Sequence, residues 1–179
     1  MIRLTCFVLT GLLLLLLTSA CSKPAENSAN TPATAAASPA GPRITSESVV
    51  SVTAQPVEIS VGGAAEAVVR ITIKNGYHTN ANPPTFPYLK PTELVIAPAG
   101  GVSAAPVTYP AATARQFPFA DKPLAVYEGE VTLKTTLKAD KSAPRGQSSL
   151  SAVLRIQACD DQVCYPPGKL EVAVPVNIK

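Results

Sequence analysis

The sequence predicts an all-β sandwich of about seven or eight strands, and three observations predict it. Apolar residues recur at every second position in several short runs, no segment sustains a helical period, and 18 prolines and 10 glycines are spread between the runs as turn punctuation. A period of two is the mark of a strand with one face buried and the other wet. The runs begin at Ile44, and the stretch from there to Lys179 is of ordinary size for one domain.

What precedes Ile44 is of a different kind. "MIRLTCFVLTGLLLLLLTSAC" has one basic residue, Arg3, then an apolar core from Leu4 to Leu17, then small residues ahead of Cys21. That core is shorter than the ~20 residues a bilayer-crossing helix needs, so residues 1–20 are expected to be a secretory signal. "LTSAC" resembles the lipobox of bacterial lipoproteins, with Thr18 where the motif prefers leucine and Leu17 one position further back. The resemblance makes Cys21 the lipidated N-terminus of the mature chain. Ser22 after it, with no aspartate, favours the outer membrane. On that reading Cys6 leaves with the signal, Cys21 carries lipid, and Cys159 and Cys164 remain as a pair in an oxidising compartment.

Residues 21–43 then read as a tether. "SKPAENSANTPATAAASPAGPR" has almost no large apolar side chain and cannot bury enough surface to offset the entropy of ordering. Extended as polyproline II at ~3.1 Å per residue it reaches about 70 Å, and as a flexible coil about 25 Å.

The strands of the domain, residues 44–179, follow in order. "VVSVTA" and "PVEISV" are short candidates. In "AVVRITIK" Val69, Ile71 and Ile73 face one way and Arg70, Thr72 and Lys74 the other. "TELVIA" is another short candidate, and in "EVTLKTTLK" Val131, Leu133 and Leu137 oppose Glu130, Lys134 and Lys138. "LSAVLRIQA" and "KLEVAVPVNIK" complete the set, with Leu170, Val172, Val174, Val176 and Ile178 on one face and Pro175 on the other. Proline donates no ladder hydrogen bond, so this last strand is expected at an edge or with one side free.

Charge excludes more than it suggests. The formal balance of +3 comes from basic residues scattered along strand faces, which argues against a nucleic-acid partner. No Gly-rich phosphate loop, His-Glu-x-x-His pair or Gly-x-Ser-x-Gly elbow is present, and the 12 carboxylates mostly alternate with lysines as a solvated surface. No hydrolytic site and no cofactor is expected.

"ACDDQVCYPP" carries the remaining chemistry. Cys159 and Cys164 lie in the connection between two predicted strands, Leu150 to Gln157 and Lys169 to Ile178. Pairing of those strands as a hairpin brings the two Cα atoms into the ~4.4–6.8 Å window of a disulfide. As a staple such a bridge closes a short loop and is worth roughly 2 kcal/mol. A metal clip is poorly supplied, because His78 is the one histidine available to join the two thiols. Staple and working redox pair both remain open on these grounds. Asp160 and Asp161 put negative charge beside the pair, and Pro166 and Pro167 forbid a following helix, so neither thiolate is stabilised. A pair of this kind needs a partner protein to drive exchange.

"NGYHTNANPP", "FPFADKPLAVYEGEVTL" and above all "IQACDDQVCYPP" resemble the N-terminal periplasmic domain of the thiol:disulfide interchange protein DsbD, over most of Ile44 to Lys179. The resemblance implies an immunoglobulin-like antiparallel β-sandwich. It implies that Cys159 and Cys164 are a redox-active pair, with Cys164 the one that forms the mixed disulfide. Electrons would come from a thioredoxin-like or membrane-embedded reductase and pass to oxidised thiol proteins of the periplasm. It places Phe117 to Phe119 in a cap loop over the cysteines. The cysteine spacing is one residue shorter than in the best-known member, and the membrane and thioredoxin-like parts of DsbD do not follow before Lys179, so either a separate membrane protein as electron source or a drift to another use is expected.

The same residues have plainer readings. Phe117 and Phe119, at alternate positions, fit two same-face core aromatics of a strand. His78 in a polar loop fits a solvated side chain, or a proton relay beside the cysteines. Tyr77 and Tyr165 fit packing residues flanking the site, and "NPP" and "YPP" are places where a cis peptide is tolerated. The pair fits an inert bridge in an immunoglobulin-like envelope lipoprotein that binds or scaffolds a partner.

The lipid reading has a direct check. Cys21→Ser should move the protein from the membrane to the soluble fraction with its fold unchanged, because the tether contributes nothing to the core; retention of the variant on membranes contradicts it.

Overall fold

The computed structural model describes residues 43–179; the signal, Cys21 and the tether lie outside the described residues. One helical turn, α1 (Ser46–Val49), opens the domain, with the Ser48 hydroxyl accepting a hydrogen bond from the Thr45 N–H. Twelve strands follow among the described residues: β1 (Val50–Ala54), β2 (Val57–Ile59), β3 (Ala64–Ile73), β4 (His78–Asn80), β5 (Glu93–Ile96), β6 (Val102–Ala104), β7 (Thr113–Arg115), β8 (Leu124–Tyr127), β9 (Glu130–Ala139), β10 (Gly146–Ile156), β11 (Ala158–Cys159) and β12 (Gly168–Ile178).

Two sheets make the sandwich. One has the order β1-β3-β9-β6 and the other β2-β12-β10-β5. Their inner faces carry the alternating residues. Val69, Ile71, Leu133 and Leu137 from the first sheet and Leu150, Leu154, Val174 and Val176 from the second belong to one buried core, while Arg70, Thr72, Lys134 and Lys138 stay in water. The architecture is the all-β sandwich expected from the period of two, and it is consistent with the immunoglobulin-like fold that the resemblance implies. Every strand pair is antiparallel except β2 with β12, where Val57–Ile59 runs parallel to Val176–Ile178. These two strands are far apart in sequence, so no tight hairpin constrains their direction.

β10 and β12 pair as a hairpin, as the cysteine reading requires, with a register from Gly146↔Ile178 to Ile156↔Gly168. Pro175 stands just outside the three residues that β2 covers, so the side of β12 away from β10 is unpaired there, in line with its missing donor.

The third sheet, in the order β11-β4-β8-β7, holds the site. Three of its strands continue long strands of the sandwich after short breaks: β4 follows β3, β8 leads into β9, and β11 follows β10. The link from β8 to β9 is Glu128 and Gly129. Gly129 sits at φ +60°, a left-handed conformation that side chains disfavour, and its carbonyl accepts the Ile73 N–H at 2.8 Å. One face of this sheet, with Tyr127 and Ala158, packs into the main core. The other face builds a separate small core of Phe117, Leu124 and Val126, joined by the partly buried Phe86, Leu89 and Ala120.

No helix among the described residues is long and apolar enough to cross a membrane. The Asn82–Pro83 peptide is cis, one of the two places where the sequence allowed it.

Candidate functional site

β10 ends at Ile156, Gln157 breaks it, and Ala158–Cys159 resumes as β11 in a different sheet. Here the chain turns back on itself. The Asp160 N–H donates to the Val163 carbonyl at 2.9 Å and the Tyr165 N–H to the Ala158 carbonyl at 2.9 Å, so Cys159 and Cys164 face each other between these bonds. This is a non-hydrogen-bonded pair of an antiparallel ladder, the place where opposed Cα atoms come closest. A disulfide joins them, and the Cα atoms are 3.9 Å apart. That is nearer than the window expected from the β10–β12 hairpin, because the cysteines pair within a tighter hairpin nested inside its loop.

The two sulfurs' residues differ in access. Cys159 is buried at 1% exposure, whereas Cys164 is exposed.

Asp160 holds the turn between them. Its Oδ1 accepts from the N–H groups of Gln162 at 2.7 Å and Val163 at 2.8 Å, and its Oδ2 accepts the Tyr165 hydroxyl at 2.6 Å. An aspartate that satisfies backbone two and three residues ahead is the usual organiser of such a turn. These bonds, the tyrosine's first, hold the Asp160 carboxyl below its ordinary range, and the same contact pushes the Tyr165 hydroxyl up to about 12. Tyr77 lies against Tyr165 with ring centroids 6.0 Å apart.

The loop is tied down from below. Ser46, fully buried, donates its hydroxyl to the Pro166 carbonyl at 2.7 Å and accepts the Ala158 N–H at 2.9 Å. The Gln157 side chain donates to the Tyr165 carbonyl at 3.1 Å, and Glu47 accepts the Lys169 N–H at 3.2 Å. Helix α1 thus clamps both ends of the cysteine hairpin.

On its other side Cys159 pairs with His78 of β4. Opposed residues in a ladder put their side chains on one face, so Cys164, Cys159 and His78 stand in a row across the sheet. His78 is buried at 1% exposure and its ring stacks on Phe117 at 4.2 Å; Phe117, also buried, stacks on Phe119 at 5.3 Å, and Phe119 is 44% exposed. The plates lie nearly parallel, from a buried imidazole out to a half-exposed phenyl. Phe117 and Phe119 belong to the loop between β7 and β8, which is closed by the Ala120 N–H on the Phe117 carbonyl at 3.1 Å and by the Gln116 amide on the Ala120 carbonyl at 2.6 Å.

Arg115 connects this loop to the cysteine turn. Its guanidinium donates to both Glu128 oxygens at 2.8 and 3.0 Å, lies 4.0 Å from Asp161, and sits 5.7 Å from the Phe117 ring centroid. Burial lowers the tendency of His78 to protonate, outweighing the carboxylates of Glu128, Asp161 and Asp160 that favour its cation. Its Nε2 has no hydrogen-bond partner, and neither does Asn80 Oδ1 two residues along the same strand face.

The structure brings together residues that the sequence named separately. His78 is a buried strand residue, not a solvated loop side chain; β4 is buried at all three positions and so shows no period of two. Phe117 and Phe119 are in a loop, not on a strand, and divide the two readings between them: Phe117 is a core residue and Phe119 an exposed plate upon it. Tyr77 and Tyr165 flank the pair. Arg115 and Ser46 went unrecognised. Arg115 had a signal only in its nearness in sequence to Phe117; Ser46 had none, since its partners lie 112 and 120 residues away. Among the described residues no group of three or more His, Cys, Asp or Glu side chains is placed to hold a metal ion.

A disulfide set in a surface turn, with one cysteine buried and the other open, on a sandwich whose core it does not cross, is the layout of a thiol–disulfide exchange domain. The chain belongs to the family described as thiol:disulfide interchange protein DsbD, N-terminal, which matches residues 45–175. Among solved structures, the N-terminal periplasmic domain of ScsB from Proteus mirabilis is similar with a TM-score of 0.47 and 19% identity, over 70% of this chain and 44% of that one. This chain therefore spans less than half the length of that structure. The seventh ScaB type I cohesin from Pseudobacteroides cellulosolvens has a TM-score of 0.38 and 10% identity, over 73% of this chain and 92% of its own. BcpA, the major pilin subunit of Bacillus cereus, has a TM-score of 0.34 and 12% identity, over 73% of this chain and 40% of its own. No curated protein sequence matches.

The Ser46 clamp gives a stability prediction. Ser46→Ala leaves a buried N–H and a carbonyl unpaired, so the domain should lose about 1–3 kcal/mol in urea unfolding; an unchanged midpoint shows that the hydroxyl does not anchor the loop.

Proposed function

We propose that this domain is a periplasmic relay that passes electrons through Cys159 and Cys164, from a thioredoxin-like or membrane-embedded reductase to oxidised thiol proteins of the envelope. The observation that carries it is the unequal access of the two cysteines. An incoming partner thiolate meets Cys164, forms a mixed disulfide with its sulfur, and displaces Cys159 as a thiolate that takes up a proton. The second thiol of the partner then attacks its own bridged sulfur, and Cys164 leaves. Two electrons and two protons have moved into the domain. In the delivering direction Cys164 attacks the disulfide of an oxidised protein and Cys159 resolves the mixed disulfide.

The surroundings support a pair that works only with a partner. Asp160 and Asp161 stand beside the cysteines, and a proline pair follows where a helix N-terminus would stabilise a thiolate. The buried cysteine adds desolvation, which also disfavours the charged form. Phe119 is proposed as the outer plate of a cap that the partner displaces, and Phe117 as its fixed base. The lipid on Cys21 would hold the relay at a bacterial membrane, the outer one favoured by Ser22, with the tether providing reach.

Partner trapping tests the reading. Cys159→Ala should accumulate a mixed disulfide through Cys164 with a thioredoxin-like domain, and Cys164→Ala should trap far less, both variants staying folded because a short-loop bridge contributes only a few kcal/mol. Equal trapping, or none by either, removes the relay and leaves an envelope scaffold with an inert bridge.

A further inference from the structure

We infer that His78 is the proton carrier of Cys159, taking the proton of its thiol when Cys159 resolves a mixed disulfide and returning it when Cys159 is released. The inference rests on the exchange reading and adds to it a group that makes the buried half of the pair reactive.

Cys159 is the member of the pair that needs help. It is buried, and the carboxylates of Asp160, Asp161 and Glu128 surround the row in which it stands, so a thiolate there lacks both water and a compensating charge. Among the described residues, the cation that acts on this row, Arg115, is engaged by Glu128 and lies toward Asp161. Cys164, being exposed, can exchange its proton with solvent directly. For Cys159 the ladder supplies a different route. Its neighbour on one side is Cys164 and on the other His78, whose side chain shares its face of the sheet.

His78 has the properties of a carrier. Its ring is held in place by stacking on Phe117, and its Nε2 is buried with no partner. An orphaned buried nitrogen is unfavourable in a resting structure, and such groups recur where chemistry uses them. Burial keeps the imidazole neutral against Glu128, Asp161 and Asp160, with Arg115 acting in the same direction as burial, so it rests in the form that can take up a proton. The carboxylates that disfavour the Cys159 thiolate favour the imidazolium formed beside it.

With Cys164 bridged to a partner sulfur, His78 takes the proton of the Cys159 thiol. The Cys159 thiolate attacks the Cys164 sulfur, the Cys159–Cys164 bond forms, and the bond to the partner breaks with its electron pair on the partner sulfur. The imidazolium then gives its proton to that thiolate or to water. The domain is oxidised by two electrons over the whole exchange and the partner disulfide is reduced by two. Reversal protonates Cys159 as it leaves.

The test uses the full chain with Cys6→Ser and Cys21→Ser, so that only the pair reacts. The reduced protein is mixed with an aromatic disulfide, dithiobis-nitrobenzoate, which releases one coloured thiolate when Cys164 attacks and a second when Cys159 resolves. His78→Gln should leave the first release unchanged and slow the second about 100-fold at neutral pH, making it rise about tenfold per pH unit where the parent has levelled off. His78 is the sole histidine, so its ring titration can also be followed by NMR without substitution. The titration should shift between the disulfide and dithiol forms, because a proton shared with Cys159 exists only in the second. An unaltered rate and pH profile of the second release, or identical ring titrations in the two forms, overturns the role of His78 and leaves exchange intact. Failure of the exchange reading shows elsewhere, as loss of partner trapping by the Cys159→Ala chain.

Discussion

The site depends on a ladder only two residues long. β11 pairs Ala158 with Thr79 and Cys159 with His78, and through Cys159 it also meets Cys164. Everything reactive is set by that arrangement: which cysteine is buried, which is open, and which side chain stands beside the buried one. Two residues cannot hold such a register alone. The ladder persists because β3, β9 and β10 deliver its strands from a packed sandwich, because Ser46 ties the open end of the hairpin from outside it, and because Asp160 holds its turn from within.

The electrostatics of the site run against spontaneous thiol chemistry. Oxidoreductases that act on their own thiolates lower a cysteine's proton affinity with a helix N-terminus or a cation. Here carboxylates take those places, and Arg115 is spent on Glu128 and on linking the aromatic loop to the cysteine turn. On the proposed reading, such a pair would be slow with small oxidants and would depend on a partner that brings its own thiolate and excludes water. The stack from His78 to Phe119 has the same consequence, since its outermost ring is the one exposed to an approaching surface.

The four long runs with a period of two became strands β3, β9, β10 and β12, and the three short candidates became β1, β2 and β5, because each places apolar residues on a face of the main core. The five strands that escaped notice, β4, β6, β7, β8 and β11, have two to four residues. β4 is buried throughout and β7 exposed throughout, so neither alternates at all. The site is built from four of those silent strands, β4, β7, β8 and β11, which is why the cysteine pair was legible from its motif but its neighbours were not. Tertiary pairing moved His78 from an apparent polar loop to the position beside Cys159. The Arg115 contact could have been read only from its nearness in sequence to Phe117; the Ser46 clamp, made across more than a hundred residues, could not be read at all.

The central claim is that the bridge between Cys159 and Cys164 opens and closes in use. Its reduction potential, measured by equilibration against a defined dithiol couple, tests this most directly. A relay predicts a value well above about −300 mV, within reach of thioredoxin-like reductants, while a value below that marks a bridge that stays closed in its compartment and contradicts the account.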